Sequence, residues 1–246
     1  MHRERRSSVP GAMVWTSTPE GRDAGPGTGL VLPDGCMDLL WRSDSREVLV
    51  AGPDTAAYAS PAAPGVTWTG LRLAPGHAPA LLGVPASELR DRRVALADLW
   101  GAARARRLAD RIEVSPGAGL EGLVAPVPQD AALAHAARLL GSGHPVAGVA
   151  DELGVGVRTL HRRSLAAFGY PPQVLARVLR FRRAVGLLRA GRPPSQVAAE
   201  AGYADQAHLS REVRTFAGTT PSALRPAQPS GAKRSTAPPS GSSTVA

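Results

Sequence analysis

Residues 149–169 read VADELGVGVRTLHRRSLAAFG, and 48 residues further on the chain reads VAAEAGYADQAHLSREVRTFAG, residues 197–218. In the first copy Val146, Val149, Ala150 and Leu153 recur at the i, i+3, i+4, i+7 spacing of one helix face. Gly154-Val155-Gly156 interrupts that helix, since glycine permits the left-handed backbone of a sharp exit. A second helix is predicted over Val157–Phe168, with Gly169 as its stop. The second copy repeats the pattern: Ser195 caps a helix over Gln196–Ala201, Gly202 ends it, and Asp205 caps Gln206–Phe216, which Gly218 closes. Aligned, Glu152 pairs with Glu200, Gly154 with Gly202, Leu160 with Leu209, Arg162 with Arg211 and Pro172 with Pro221. Each copy is therefore a helix, a short turn and a helix with basic residues on the second.

The segment between the copies predicts one connecting helix. Pro171 and Pro172 suit its start, Val174, Val178, Phe181, Val185 and Leu188 form its apolar seam, and Gly191 supplies the stop. At about 18 residues it spans roughly 27 Å, comparable with the ~34 Å between successive major-groove faces on one side of B-DNA. A further helix is expected over Ala131–Leu140, ahead of the first copy.

Charge divides the chain the same way. The formal net charge is +9, and residues 1–129 hold 14 Arg against 14 acidic residues, whereas residues 130–246 hold 15 basic against six acidic ones. The whole excess lies in the half that carries the repeat, as expected of a polyanion-binding domain joined to one that is not. With 246 residues and 43% hydrophobic content, the chain has material for one large or two ordinary cores. It contains no apolar run of 18 residues, and MHRERRSSVPGAMVW lacks the apolar stretch of an export signal, so Arg5-Arg6 is read as a solvated charge run. The single cysteine, Cys36, forms no internal disulfide and fits a reducing cytoplasm. The expected location is cytoplasmic.

Residues 146–225 resemble the DNA-binding domain of AraC/XylS-type transcriptional regulators, through the two units, the linking RFRRAVGLL, and the closing AAEAGYADQAHLSREVRTFAGTTPSALR. The resemblance implies a regulator that places two recognition helices in successive major grooves. It puts Arg158, Thr159, His161 and Arg162 of the first unit, and Gln206, Ala207, Ser210 and Arg211 of the second, toward the bases. Arg suits guanine, Gln suits adenine, and an Ala or Thr methyl suits thymine. Arg163, Arg177, Arg180, Arg183 and Arg214 are candidate phosphate contacts. His208 reads as a core or phosphate-side residue. The chain departs from the family where Ser164 and Val213 replace aromatics and where His208-Leu209 replaces Tyr-Phe, which bears on how tightly each recognition helix packs. Thr220-Pro221 is read as the N-cap and first position of a last helix.

The first half predicts strands at Thr28–Leu32, Met37–Trp41, Val48–Ala51 and Val66–Leu73, then helices at Ala78–Leu82, Ala86–Arg90 and Ala102–Ile112. The stretches LPDGCMDLLW, VAGPD and GLRLAPGHAPALLGVPASELRDRRVALADLWG resemble a sensor-like domain of a subset of these regulators, whose ligand is generally not known. The expected fold class is α+β: a small β-rich domain with appended helices, then an all-α domain of two helix-turn-helix units. The expected division is a flexible segment 1–27, a sensor-like domain 28–114, a linker 115–129, the DNA-binding domain 130–225 and a disordered tail 226–246.

Catalysis is not expected, because the chain has no P-loop, GxSxG, HExxH or GxGxxG motif in its proper setting. No cofactor or metal is expected either: one thiol without a neighbouring His or second Cys is not a zinc site. Cys36 is weighed as a structural residue against a redox or alkylation sensor. Alkylation-responsive regulators hold zinc through four cysteines, which one cysteine excludes. The expected partners are double-stranded DNA, an unidentified small-molecule effector, a second copy of the chain, and RNA polymerase if the protein activates; a membrane is not among them. A nonspecific nucleic-acid binder, or a module that uses its basic bundle on acidic proteins, is the alternative reading.

Overall fold

The structure is a computed structural model and describes residues 2–18, 30–60, 65–124 and 127–226. Its first half is built on a six-stranded antiparallel sheet. The strands are β1 (His2–Arg6), β2 (Met13–Ser17), β4 (Met37–Arg42), β5 (Val48–Ala51), β7 (Trp68–Leu73) and β8 (Arg93–Ala95), in the order β1-β2-β7-β4-β5-β8. A separate two-stranded ribbon joins β3 (Leu30–Val31) to β6 (Tyr58–Ala59). Strand β4 shows why the sheet has two characters: Met37, Leu39 and Trp41 are buried on one face, while Asp38, Leu40 and Arg42 stand half-buried on the other.

The apolar face is covered by helices. After the short α1 (Ala78–Leu82) and α2 (Ala86–Leu89), α3 (Leu96–Trp100) packs against β5. Helices α4 (Ala102–Val114) and α5 (Pro116–Val124) pack against each other, and α5 also packs against β7. Val50, Leu71, Leu96, Ile112 and Leu120 lose essentially all solvent exposure there, the burial that drives this layer together.

Two expectations are corrected here. The segment 1–27 was expected to be flexible, yet residues 2–6 and 13–17 are strands. Met13–Ser17 pairs with the central β7, its Val14 enters the core, and β1 adds to its other side. Residues 115–129 were expected to be a linker, yet Pro116–Val124 is a helix whose buried Glu121 anchors the N-terminal strand. Arg5 donates from both Nη1 and Nη2 to the Glu121 carboxylate, Ser7 Oγ donates at 2.7 Å, and the Ser8 amide at 2.8 Å. The tail expected to be disordered lies, apart from Pro226, outside the described residues, as do Thr28 and Gly29 of the expected first strand.

The second half is helical: α6 (Ala131–Gly141), α7 (Val146–Glu152), α8 (Val157–Phe168), α9 (Pro172–Arg189), α10 (Pro194–Ala201) and α11 (Gln206–Ala217). Asp130 caps α6, accepting from the amides of Ala132 and Leu133. Helix α9 is central and packs against α6, α8, α10 and α11. Its buried face includes the expected Val178, Phe181, Val185 and Leu188 and also Leu175 and Ala184, so it is wider than a two-position seam because both units rest on it. Ser195 is not a cap: Pro193 holds that place and Pro194 opens α10. Pro221–Leu224 is a 3-10 turn in place of the expected last helix, and Thr220 makes no side-chain cap bond there.

The two halves meet at the end of α8. Helix α2 packs against α8, Arg90 Nη1 donates to the Gly169 carbonyl at 3.1 Å, and the Tyr170 hydroxyl donates to the Asp54 carbonyl at 2.5 Å.

Candidate nucleic-acid interface

Helices α8 and α11 each have 12 residues and run in the same register. Their fourth positions, Leu160 and Leu209, and their eighth, Ser164 and Val213, are at most 1% exposed. Their sixth positions, Arg162 and Arg211, are exposed. Two residues advance a helix by about 200°, so burying positions four and eight turns position six away from the core. Short helices α7 and α10 precede them, and the turns leave through Gly154 at φ +62° and Gly202 at φ +79°, where a side chain would be strained. Asp205 caps α11 as expected, accepting from the His208 amide at 2.6 Å.

The predicted base-facing residues occupy these outer surfaces. Arg158, His161 and Arg162 on α8, and Gln206, Ala207 and Arg211 on α11, are exposed; Thr159 and Ser210 are half-buried beside them. Among the described residues, the guanidiniums of Arg158, Arg162, Arg163, Arg211 and Arg214 have no hydrogen-bond or ion-pair partner, which leaves five of them free on two helices.

The other expected phosphate contacts are engaged within the protein. Arg177 Nε donates to Glu212 Oε1 at 2.6 Å, Arg180 Nη2 lies 3.3 Å from Glu212 Oε2, and Arg183 Nη2 donates to the Gly141 carbonyl. Sequence reasoning missed Glu212 as the centre of this cluster. It is buried and also accepts from the Tyr203 hydroxyl at 3.2 Å. Burial, then the Glu212 carboxylate, hold the Tyr203 phenol protonated well above its ordinary range. The signal was a lone acidic residue at an inward position of a basic helix.

The smaller residues at the family's aromatic positions do not loosen the packing. Ser164 is fully buried and its Oγ donates to the Tyr170 carbonyl at 2.7 Å, while Val213 and Leu209 are fully buried in the same core. His208 is half-buried with its ring edge-on to Tyr203 at 5.1 Å.

Cys36 is buried, and Arg182 Nη1 lies 3.7 Å from its sulfur. Burial, then the Asp34 carboxylate, raise its pKa strongly, which disfavours the thiolate that redox or alkylation chemistry needs. Among the described residues no group of three or more His, Cys, Asp or Glu is placed to hold a metal ion, and no helix is long and apolar enough to cross a membrane.

Comparison with known proteins places these elements. Residues 149–227 match a family described as a helix-turn-helix domain, of the AraC type. Residues 12–95 match a family described as a domain of unknown function. No curated protein matches the chain. Among solved structures, an apo variant of ToxT from Vibrio cholerae is similar at 13% identity and a TM-score of 0.49, over 89% of this chain and 98% of that one. ToxT from strain O395 gives 10% and 0.47, over 90% and 96%. Wild-type ToxT bound to an unsaturated fatty acid gives 12% and 0.46, over 79% and 88%.

Proposed function

We propose that this chain is a DNA-binding transcription regulator that reads DNA with two heads on one spacer, a reading supported by the AraC-type helix-turn-helix domain of residues 149–227. Helices α8 and α11 enter successive major grooves on one face of the duplex. Arg158, Thr159, His161 and Arg162, then Gln206, Ala207, Ser210 and Arg211, face the bases. Arg163 and Arg214 hold the backbone. The observation that carries this reading is the equivalence of Arg162 and Arg211, both exposed, with guanidiniums unpaired among the described residues, and both sixth in helices that share the support of α9.

The N-terminal domain modulates that binding in the cytoplasm. Its contact with the end of α8 gives a route for doing so, since an effector shifts DNA affinity by as much as it discriminates between two arrangements of the halves.

A selection from random duplex DNA with the full chain, followed by titration of the enriched site at two salt concentrations, tests the reading. The expected product is a site with two blocks about one helical turn apart. Salt-sensitive binding without enrichment would mean a nonspecific binder, and no binding to DNA at any salt would favour a protein partner.

A further inference from the structure

The face of the sheet opposite the α3–α5 layer bounds a cavity of about 1100 Å³, of the size that holds small organic ligands. Trp15, Asp38, Trp68 and Arg72 line it from the strands and Tyr58 from the β3–β6 ribbon. The opposite wall belongs to the DNA-binding half: Arg182 and Val185 of α9, and Leu224 of the turn that follows α11. An occupant would touch both halves at once.

The middle of the cavity is aromatic. Trp15 stands opposite Gly70 in the β2–β7 pair, and a Cβ on Gly70 would meet the indole at 2.1 Å, so the ring lies across the sheet in the space that this glycine leaves. Trp15 Nε1 donates to Asp38 Oδ1 at 2.8 Å, which fixes the ring there. Trp68, the first residue of β7, keeps a buried indole N–H that has no hydrogen-bond partner among the described residues. Such an orphan donor is costly, and a ligand acceptor would satisfy it.

The polar end is charge-balanced. Arg72 Nε lies 3.5 Å from Asp34 and 3.4 Å from Asp38, and makes a hydrogen bond to neither, while Arg182 stands beside Cys36. This end therefore holds two carboxylates, both beside Arg72, and two guanidiniums. Nearby Arg93 is closed onto Asp54 through two bonds of 2.8 and 2.7 Å and covers the Tyr58 ring at 4.2 Å. At the rim Arg42 is held by Asp44 and Glu4 by His2, and Arg189 of α9 is exposed. A ligand with a full charge would bring an unmatched charge into this half-desolvated end, which is unfavourable. A neutral edge with one donor and one acceptor would complete the open positions instead.

We propose that this cavity is the effector site and that its ligand is an uncharged planar aromatic or heteroaromatic molecule with an amide- or lactam-like edge. The ring stacks on Trp15, and the polar edge meets Trp68, Arg72 and Asp38. The proposal rests on the regulator reading for its consequence: a bound ligand bridges the sheet to α9 and to the turn after the second recognition helix.

The test uses the full chain without DNA, with thermal unfolding and intrinsic tryptophan fluorescence as readouts. The probes are 2-quinolone, isatin and benzamide, then quinoline-2-carboxylate and benzoate as charged counterparts, and oleate as a long-chain acid. A neutral probe is expected to raise the unfolding temperature and perturb the fluorescence saturably, with its charged counterpart at least about ten-fold weaker. Trp68→Phe keeps a ring and loses the donor, and is expected to weaken the neutral probe roughly five-fold. Equal or tighter binding of the carboxylates, no binding of any neutral probe up to millimolar concentration, or unchanged affinity in the folded Trp68→Phe protein would overturn the proposal. The DNA selection is scored separately: ligand binding without a selected DNA site would sink the regulator reading and leave the cavity site standing.

Discussion

Arg177 on α9 donates from Nε to the buried carboxylate of Glu212 on α11 at 2.6 Å, and Arg180, one turn along α9, reaches the other carboxylate oxygen at 3.3 Å. Helix α11 is thus tied to α9 through one acidic side chain. Replacing Glu212 with Ala removes the acceptor for two guanidiniums and the Tyr203 hydroxyl, and should cost about 2 to 3 kcal/mol. Arg177 is close to half exposed at 46%, so Arg177→Ala should cost below about 1 kcal/mol. Urea unfolding of the full chain measures both, and equal losses would contradict the shared role of Glu212.

The Arg162 and Arg211 side chains are exposed and unpaired among the described residues, so their loss should leave stability within about 0.5 kcal/mol of the native protein. On the selected DNA site each alanine variant should lose about 1 to 3 kcal/mol of affinity. Because the two residues sit in separate units, the losses should add in the double variant. Full affinity in both single variants would remove the base-reading assignment.

The helical half was legible because its signals are local. Glycine breaks, the Asp205 cap and the seam of α9 each depend on residues a few positions apart, and α8 runs over Val157–Phe168 as its spacing predicts. The N-terminal sheet was only partly legible. HRERR in β1 has no apolar alternation and is exposed throughout, so its strand identity comes from pairing with β2. Pro116–Val124 carries three glycines and a proline, a composition that reads as linker, and burial of Leu120 and Val124 with the contacts of Glu121 overrides it. Which arginines would be free was likewise illegible, since Arg163 and Arg177 look alike until Glu212 is placed. The cavity required the register that sets Trp15 opposite Gly70, a long-range relation that no local pattern announces.

The junction between the halves should be sensitive to single atoms. Gly169 has φ +77°, and a Cβ there would stand 2.6 Å from Pro53 Cγ and 3.1 Å from the Ala86 carbonyl oxygen. Gly169→Ala combines a left-handed backbone with a clash across the junction, and should cost about 2 to 4 kcal/mol. Tyr170→Phe removes only the hydroxyl bond to Asp54 and should cost about 1 kcal/mol. Thermal unfolding orders the two; a larger loss for Tyr170→Phe would mean that the hydroxyl, rather than the close backbone approach, sets the junction.

Glu121 makes the N-terminal strand sensitive to acid. The hydrogen bonds from Arg5, then those from Ser7 and Ser8, outweigh partial burial and hold its carboxyl down to about 2 from an ordinary 4.5. A carboxyl whose folded pKa is depressed adds stability that is fully present above its unfolded value. That stability disappears as pH falls from 4.5 toward 2, because the unfolded chain takes up the proton first. Arg5 is half exposed, so the contribution is about 1 to 3 kcal/mol and not the full value of a buried pair. Glu121→Gln should be less stable than the native chain at neutral pH, and the two urea midpoints should converge as the pH is lowered through this window. Parallel profiles would show that Glu121 is not held in its charged form by the strand, and β1 would then need another explanation for its place at the sheet edge.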